Sequence, residues 1–257
     1  MTRFQHVAVV AAAVSLVLAI PGCGGGGGGG DSGPSQSPAD ENPEGLWIGS
    51  TNTNRTVGGV VLDDGTYWVI YSQEGNSNVI AGALQGRFST NGNTVSSSNG
   101  RDFNFEGLGV NDFTSSGTVA EKQSLDGTVT YDGGLEVFVS AEYSSDYELA
   151  PSLATIAGSY SGSSVASGGV EFTTATISPD GGVSGSSASG CAFSGSVAPK
   201  SRGNVYDLSV TFNGGTCANG TATVTGVAFY DAANSQLISM ALNSSRTNGF
   251  LAIGVKD

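Results

Sequence analysis

Enzymes without a bound cofactor draw on a short list of side chains, and most of that list is missing from this 257-residue chain. The single histidine, His6, stands just ahead of an apolar run from Val7 to Ile20 that only Ser15 interrupts with a hydroxyl. A histidine in such a leader cannot serve a folded body further along. Ser-His-Asp and Cys-His relays and His-ligated zinc therefore lack their imidazole. Lys122, Lys200 and Lys256 are not preceded by serine at the Ser-x-x-Lys spacing, which removes that nucleophile as well. The adjacent carboxylates Asp63-Asp64 could supply a glycosidase acid or a calcium ligand. Neighbouring residues on a strand point to opposite faces, so the two cannot easily converge on one substrate. Followed by Gly65, they read as a hairpin turn. No catalytic residue, metal ligand or cofactor is assigned, and the chain reads as a non-enzyme.

Three cysteines remain, at positions 23, 191 and 217. The segment from Val7 to Ile20 is shorter than the ~20 apolar residues a spanning helix needs and fits the core of a signal peptide over residues 1–22. It ends in Ile20-Pro21-Gly22-Cys23. This resembles a bacterial lipobox, an aliphatic residue, a small residue, Gly or Ala, then Cys, with Pro21 departing from the usual small residue. The resemblance implies that Cys23 becomes the mature N-terminus and the site of lipid (palmitate-type) attachment. The alternative is an ordinary secretory signal with an unrelated cysteine. Residues 24–30 are all glycine, and residues 31–44 add Asp, Ser, Pro and Glu. A Gly-rich coil spanning residues 24–44 has a root-mean-square reach of roughly 25 Å, enough to lift a folded body off a membrane. Gly rather than Asp after the lipid cysteine implies, by the same resemblance, export to the outer membrane.

Charge narrows the partners. The net charge is −13, and removal of residues 1–22 takes away only Arg3. Nucleic acid is disfavoured, because phosphate binding needs clustered Lys and Arg. The acid is unevenly spread: residues 45–150 hold 13 acidic and 4 basic residues, residues 155–257 hold 5 and 4. Solubility alone accounts for such a balance; a cationic partner for the first half is the sharper reading.

The elements that must carry any site are strands. Glycine is abundant, β-branched residues recur, and Asp-Gly pairs punctuate the chain. Gly45-Leu46-Trp47-Ile48-Gly49-Ser50 aligns with Gly158-Ser159-Tyr160-Ser161-Gly162-Ser163, and each is followed by an Asp-Gly turn, Asp64-Gly65 and Asp180-Gly181. This internal repeat predicts a domain over residues 45–150 and a second over 151–257. In the first, strands are expected near 46–51, 57–63, 66–72, 79–88, 93–98, 102–107, 116–122, 125–131 and 135–143. In the second, they are expected near 158–163, 169–177, 182–187, 190–198, 204–212, 220–230, 236–242 and 249–255. Tyr206, Leu208, Val210 and Phe212 share one face of their strand and Asp207, Ser209 and Thr211 the other, a period of two. Leu153–Ile156 suggests one helical turn between the units. The predicted fold is all-β: two small antiparallel meander barrels, lipocalin-like, in tandem, because closure removes exposed edges. A β-sandwich is the alternative.

The ends of the strands near 190–198 and 204–212 bring Cys217 back to the end where Cys191 begins, which predicts a Cys191–Cys217 disulfide in an oxidising compartment. Two buried thiols are the alternative. The most aromatic stretch, Tyr67-Trp68-Val69-Ile70-Tyr71, reads either as packing on both faces of a strand or as an interface patch at a barrel rim. In the second reading Tyr67, Trp68 and Tyr71 are the candidate binding residues. A lipid cysteine, a polyglycine run and two barrel-like units resemble the layout of factor H-binding and transferrin-binding surface lipoproteins, and Gly45-x-Trp47 resembles the first-strand motif of lipocalins. The expected function is that of an outer-membrane lipoprotein, anchored through its lipid, that binds a protein or small ligand. A periplasm-facing inhibitor or immunity-type lipoprotein that neutralises an enzyme or toxin is the alternative.

Overall fold

The structure is a computed structural model that describes residues 40–257. The expected signal peptide over 1–22, the lipid cysteine and the polyglycine run lie outside the described residues. Asp40–Asp257 form one compact unit that holds both barrels.

The first barrel is built from β1 (Gly45–Thr51), β2 (Thr56–Val61), β3 (Thr66–Gln73), β4 (Asn76–Arg87), β5 (Ser89–Asn91), β6 (Thr94–Asn104), β7 (Gly109–Ala120), β8 (Ser124–Tyr131) and β9 (Glu136–Ser144). Its strands pair antiparallel in chain order. The ring closes where β1 meets β9 and where β4 meets β6, leaving eight strands in the wall and β5 as a short spur on β6. The sequence predicts two strands, near 93–98 and 102–107, where the structure has the single strand β6. The chain instead continues through a bulge between Ser97 and Gly100. Gly100 is needed there for space, because a side chain would strike the Phe113 ring.

A 3-10 turn (Ser145–Glu148) and a single helical turn, α1 (Leu153–Ile156), lead to the second barrel. Its strands are β10 (Gly158–Ala166), β11 (Gly169–Ile177), β12 (Gly182–Ser187), β13 (Ala192–Pro199), β14 (Val205–Phe212), β15 (Thr223–Asp231), β16 (Gln236–Leu242) and β17 (Gly249–Lys256). They pair in sequence and close through β10–β17, with Tyr160 opposite Lys256 and Val165 opposite Leu251. The molecule thus has the expected tandem of closed antiparallel barrels. The two Asp-Gly turns of the repeat both carry a left-handed glycine, Gly65 at φ +83° and Gly181 at φ +88°.

Each barrel has its own interior. Trp47, Tyr67, Val95, Phe113, Val119 and Val129 fill the first, with Val57, Tyr71 and Ala81 grouped separately. Tyr160, Tyr206, Leu208, Val210, Phe212 and Tyr230 belong to the second. A further cluster joins the barrels: Leu46, Val60, Leu62 and Trp68 of the first meet Val205, Val227, Met240, Leu242 and Leu251 of the second. On these strands both faces are apolar, because one faces its own barrel and the other faces the neighbour. Polar bonds reinforce the junction. The Arg246 guanidinium donates to the carbonyls of Gln85 at 2.7 Å and Asn99 at 2.8 Å. Arg202 pairs with the buried Glu44 at 2.8 Å.

Candidate ligand-binding site

The residues singled out in the sequence do not form a surface patch in this structure. Alternation along β3 sends Tyr67 and Tyr71 into the first barrel and Trp68 outward against the second. All three are buried, at 3%, 8% and 7% exposure. The Tyr67 hydroxyl hydrogen-bonds Ser97 at 3.1 Å. Trp68 also reaches the floor of a broad groove between the barrels, of about 410 Å³, whose walls include Ser196, Ala198, Asp207 and Thr225. Asp63 and Asp64 occupy the β2–β3 turn, where Asp64 accepts from the Thr66 amide at 2.9 Å. Among the described residues no three His, Cys, Asp or Glu side chains converge.

What distinguishes the barrels is how each one ends. At one end of the first barrel the chain ahead of β1 is stitched across the strand loops. Asp40 accepts from the Gly92 amide at 2.7 Å, Glu41 accepts from the Glu121 amide at 3.0 Å, and the Trp47 indole donates to the Pro43 carbonyl at 2.8 Å. Residues 40–44, expected as the end of the tether, are thus packed against the barrel. At the other end stands a buried carboxylate. Asp102 accepts from the hydroxyls of Tyr71 at 2.8 Å and Tyr131 at 3.0 Å, and Asn104 donates to the Tyr71 hydroxyl at 3.1 Å. Arg55 lies over the Tyr71 ring at 5.6 Å and bridges to Glu106 at 2.8 Å. Burial pushes the Asp102 carboxyl above the usual range; the two hydroxyls and the Arg55 guanidinium pull it back only in part. The same burial pushes both tyrosines upward. Every partner is satisfied within this network, so it plugs the barrel end rather than presenting a site. The space left between the two ends is a cavity of about 110 Å³ with apolar walls.

The second barrel is capped at one end by α1. Ser152 starts the turn by accepting from the Thr155 amide at 3.2 Å, and Ile156, fully buried, packs into the interior cluster. The Tyr160 hydroxyl donates to the Ile156 carbonyl at 2.7 Å and the Tyr206 hydroxyl to the Ser152 carbonyl at 3.2 Å, which fixes the cap. At the opposite end the interior rises to the surface. Phe193, Phe212 and Phe250 form an edge-to-face series, with centroids 6.2 Å and 6.1 Å apart. Above them lies a pocket of about 70 Å³ whose lining runs out to the exposed Gly168, Gly169, Ser189 and Thr216. Below them lies a cavity of about 80 Å³, and Phe193 and Phe250 line both spaces. The predicted disulfide is present at this end: Cys191 and Cys217 are bonded, with Cα atoms 4.6 Å apart, and Cys191 forms part of the pocket wall.

Sequence reading placed the disulfide and the alternation of β14 correctly, but it did not find this pocket. Its three phenylalanines come from β13, β14 and β17, and a period-two pattern shows which way each one points without showing that they meet. The only usable signal was the cysteine pair, which marks the loop over the barrel end. No protein-family profile matches the chain, and no curated protein matches it.

Proposed function

We propose that the chain is a non-enzymatic, lipid-anchored binding protein of the outer membrane, with the second barrel as its ligand-binding body. The observation that carries this reading is the asymmetry of that barrel, capped by α1 at one end and hollow above three phenylalanines at the other. Concave, mostly apolar spaces with a few polar groups at the mouth of a β-barrel are the usual location of small-molecule sites. The lipobox-like Ile20-Pro21-Gly22-Cys23 and the glycine run supply the anchor, and the lack of any histidine beyond His6 supports binding rather than catalysis.

Two experiments test it. Cys23→Ser should abolish labelling by a palmitate analogue and release the protein from membranes; label retained in the variant overturns the anchor. Small ring compounds should raise the melting temperature of the purified chain, and Ala166→Trp, at the rim of the pocket, should abolish that rise. Binding unchanged by that substitution would place the site elsewhere.

The charge of residues 45–150 favours a second reading, an inhibitor or immunity-type lipoprotein whose acidic barrel meets a cationic enzyme or toxin in the periplasm. Protease shaving of intact cells separates the two. Loss of the barrels means display at the surface, and protection means that they face inward.

A further inference from the structure

The first barrel presents an outer face, on β8, β9 and β1, that the second barrel does not cover. Its charge is of one sign. β7, β8, β9 and β1 carry Asp112, Asp126, Glu136 and Glu142 and not one lysine or arginine. The cations beside this wall are already paired: Arg55 with Glu106 at 2.8 Å, Arg101 with Asp112 at 3.2 Å and Lys122 with Glu148 at 2.7 Å. Among the described residues, Asp126, Glu136 and Glu142 are exposed and pair with no cation.

Apolar side chains stand among these carboxylates. The wet side of an antiparallel sheet is normally polar, yet Ile48 and Phe138 are 54% and 52% exposed. The register places them on one surface. Ile48 stands opposite Glu142 and Ser50 opposite Ser140, and the Asn52 amide donates to the Phe138 carbonyl. Only two serines therefore separate the apolar side chains, which lie roughly 13 Å apart along the strands. Asp126 accepts from the Ser140 hydroxyl at 2.6 Å, which sets a carboxylate against the middle of the row. Gly58 lies beside Ile48 on β2, and a side chain there would meet nothing within 4 Å, so the flank of Ile48 is open. Leu135, exposed in the turn before β9, carries apolar surface on to the barrel end. Single exposed apolar residues need no explanation, but a row of them bordered by charge of one sign has the make-up of an interface.

We infer that the outer face of β8, β9 and β1 docks a cationic protein segment in which lysine or arginine flanks apolar side chains. Ile48 and Phe138 are its apolar anchors, and Asp126, Glu136 and Glu142 its counter-charges. Charge complementarity selects this occupant. Nucleic acid and anionic lipid would meet three unpaired carboxylates, and a second copy of this acidic chain would bring the same sign. This deepens the reading in which the acidic barrel meets a cationic enzyme or toxin, and rests on it.

The test titrates three short peptides into the purified chain, read by amide NMR: alternating lysine and leucine, alternating lysine and serine, and alternating glutamate and leucine. The lysine-leucine peptide should shift the amides of β8, β9 and β1 saturably. It should bind about tenfold more tightly than the lysine-serine peptide, through the apolar area it covers, and lose about tenfold in affinity at high salt. The glutamate-leucine peptide should leave the face unchanged. Ile48→Thr with Phe138→Thr should bring the lysine-leucine peptide down to the level of lysine-serine, and both positions are exposed on strands that accept threonine. Equal binding of the two cationic peptides to the wild-type face would overturn the apolar anchors and with them the inference. Shifts confined to the opposite barrel end, around Asp40 and Glu41, would overturn this face and leave the acidic barrel as a meeting place for cations. Binding of neither cationic peptide would overturn both.

Discussion

The two barrels are each closed by eight antiparallel strands in meander order, yet the first is plugged at both ends and the second at only one. In the first, a carboxylate and two tyrosine hydroxyls meet inside one end, and Asp40–Glu44 cross the other. In the second, α1 closes one end, and the other carries three phenylalanines beneath the disulfide-linked loop. Topology is common to both, so the difference lies in a handful of side chains near the rims. It teaches that a repeated fold can close both ends in one copy and leave one end open in the next without any change of strand order. It also shows why the aromatic content that singles out Tyr67, Trp68 and Tyr71 in the sequence does not mark a surface patch: all three are buried. In the first barrel the tyrosines are fully engaged with its own interior.

The comparison can be broken most forcefully at the junction. Trp68→Ala should destabilise the chain by about 3–5 kcal/mol, the usual loss for a large aromatic removed from a core. Here it would also loosen the contact between barrels, seen as a lower melting temperature and a less cooperative transition. A melting temperature near wild type, together with a lost partner in pull-downs, would restore Trp68 as a binding anchor. Next in size is the disulfide. Replacing Cys191 and Cys217 by serine should cost about 3.5 kcal/mol on the chain-entropy model for a sequence separation of 26. The denaturation midpoint should fall, and the pocket methyls should move while those of the first barrel stay still. Equal disturbance of both barrels would mean that the bond supports the whole unit.

The smallest effect should come from Asp102→Asn, and it concerns pH. Burial holds the folded-state pKa of Asp102 above its ordinary value, so the fold binds that proton more tightly than the unfolded chain does. The stability this group contributes is present in acid and is lost as pH rises through the folded value. The asparagine variant should therefore compare better with wild type at pH 7 than at pH 4, measured as urea midpoints at each pH. One of the two tyrosine hydroxyls would turn to accept from the new amide. An unchanged difference between the two pH values would show that Asp102 does not titrate as a plug.

Much of the fold was legible because strands with one wet face declare themselves. Tyr206, Leu208 and Phe212 are buried while Asp207 and Thr211 are exposed, as the alternation requires. β12 and β16 fall at the expected bounds, and α1 occupies the four residues read as a helical turn. Legibility failed where the cause lay beyond the strand. The bulge at Gly100 depends on the Phe113 ring, thirteen positions away along the chain and adjacent only in the sheet. The face between barrels was written in plain sight as runs with no polar alternation, Tyr67 to Tyr71 and Val227 to Tyr230. A run apolar on both sides signals burial on both sides, but it does not name the neighbour.

Glu44 is held by the Tyr147 hydroxyl at 3.1 Å and by Arg202 of the second barrel, immediately before the first residue of β1. In mechanical terms it is a strain relief. Tension arriving along the chain from the N-terminal side meets the bonds of Asp40 and Glu41 to the first barrel and is then divided at Glu44 before it reaches the first strand. β1 is bonded along both edges, to β2 and β9, so the remaining load must shear two ladders together rather than peel one. A molecule held by its leading end in this way would give up the grip of Glu44 well before it gave up a barrel.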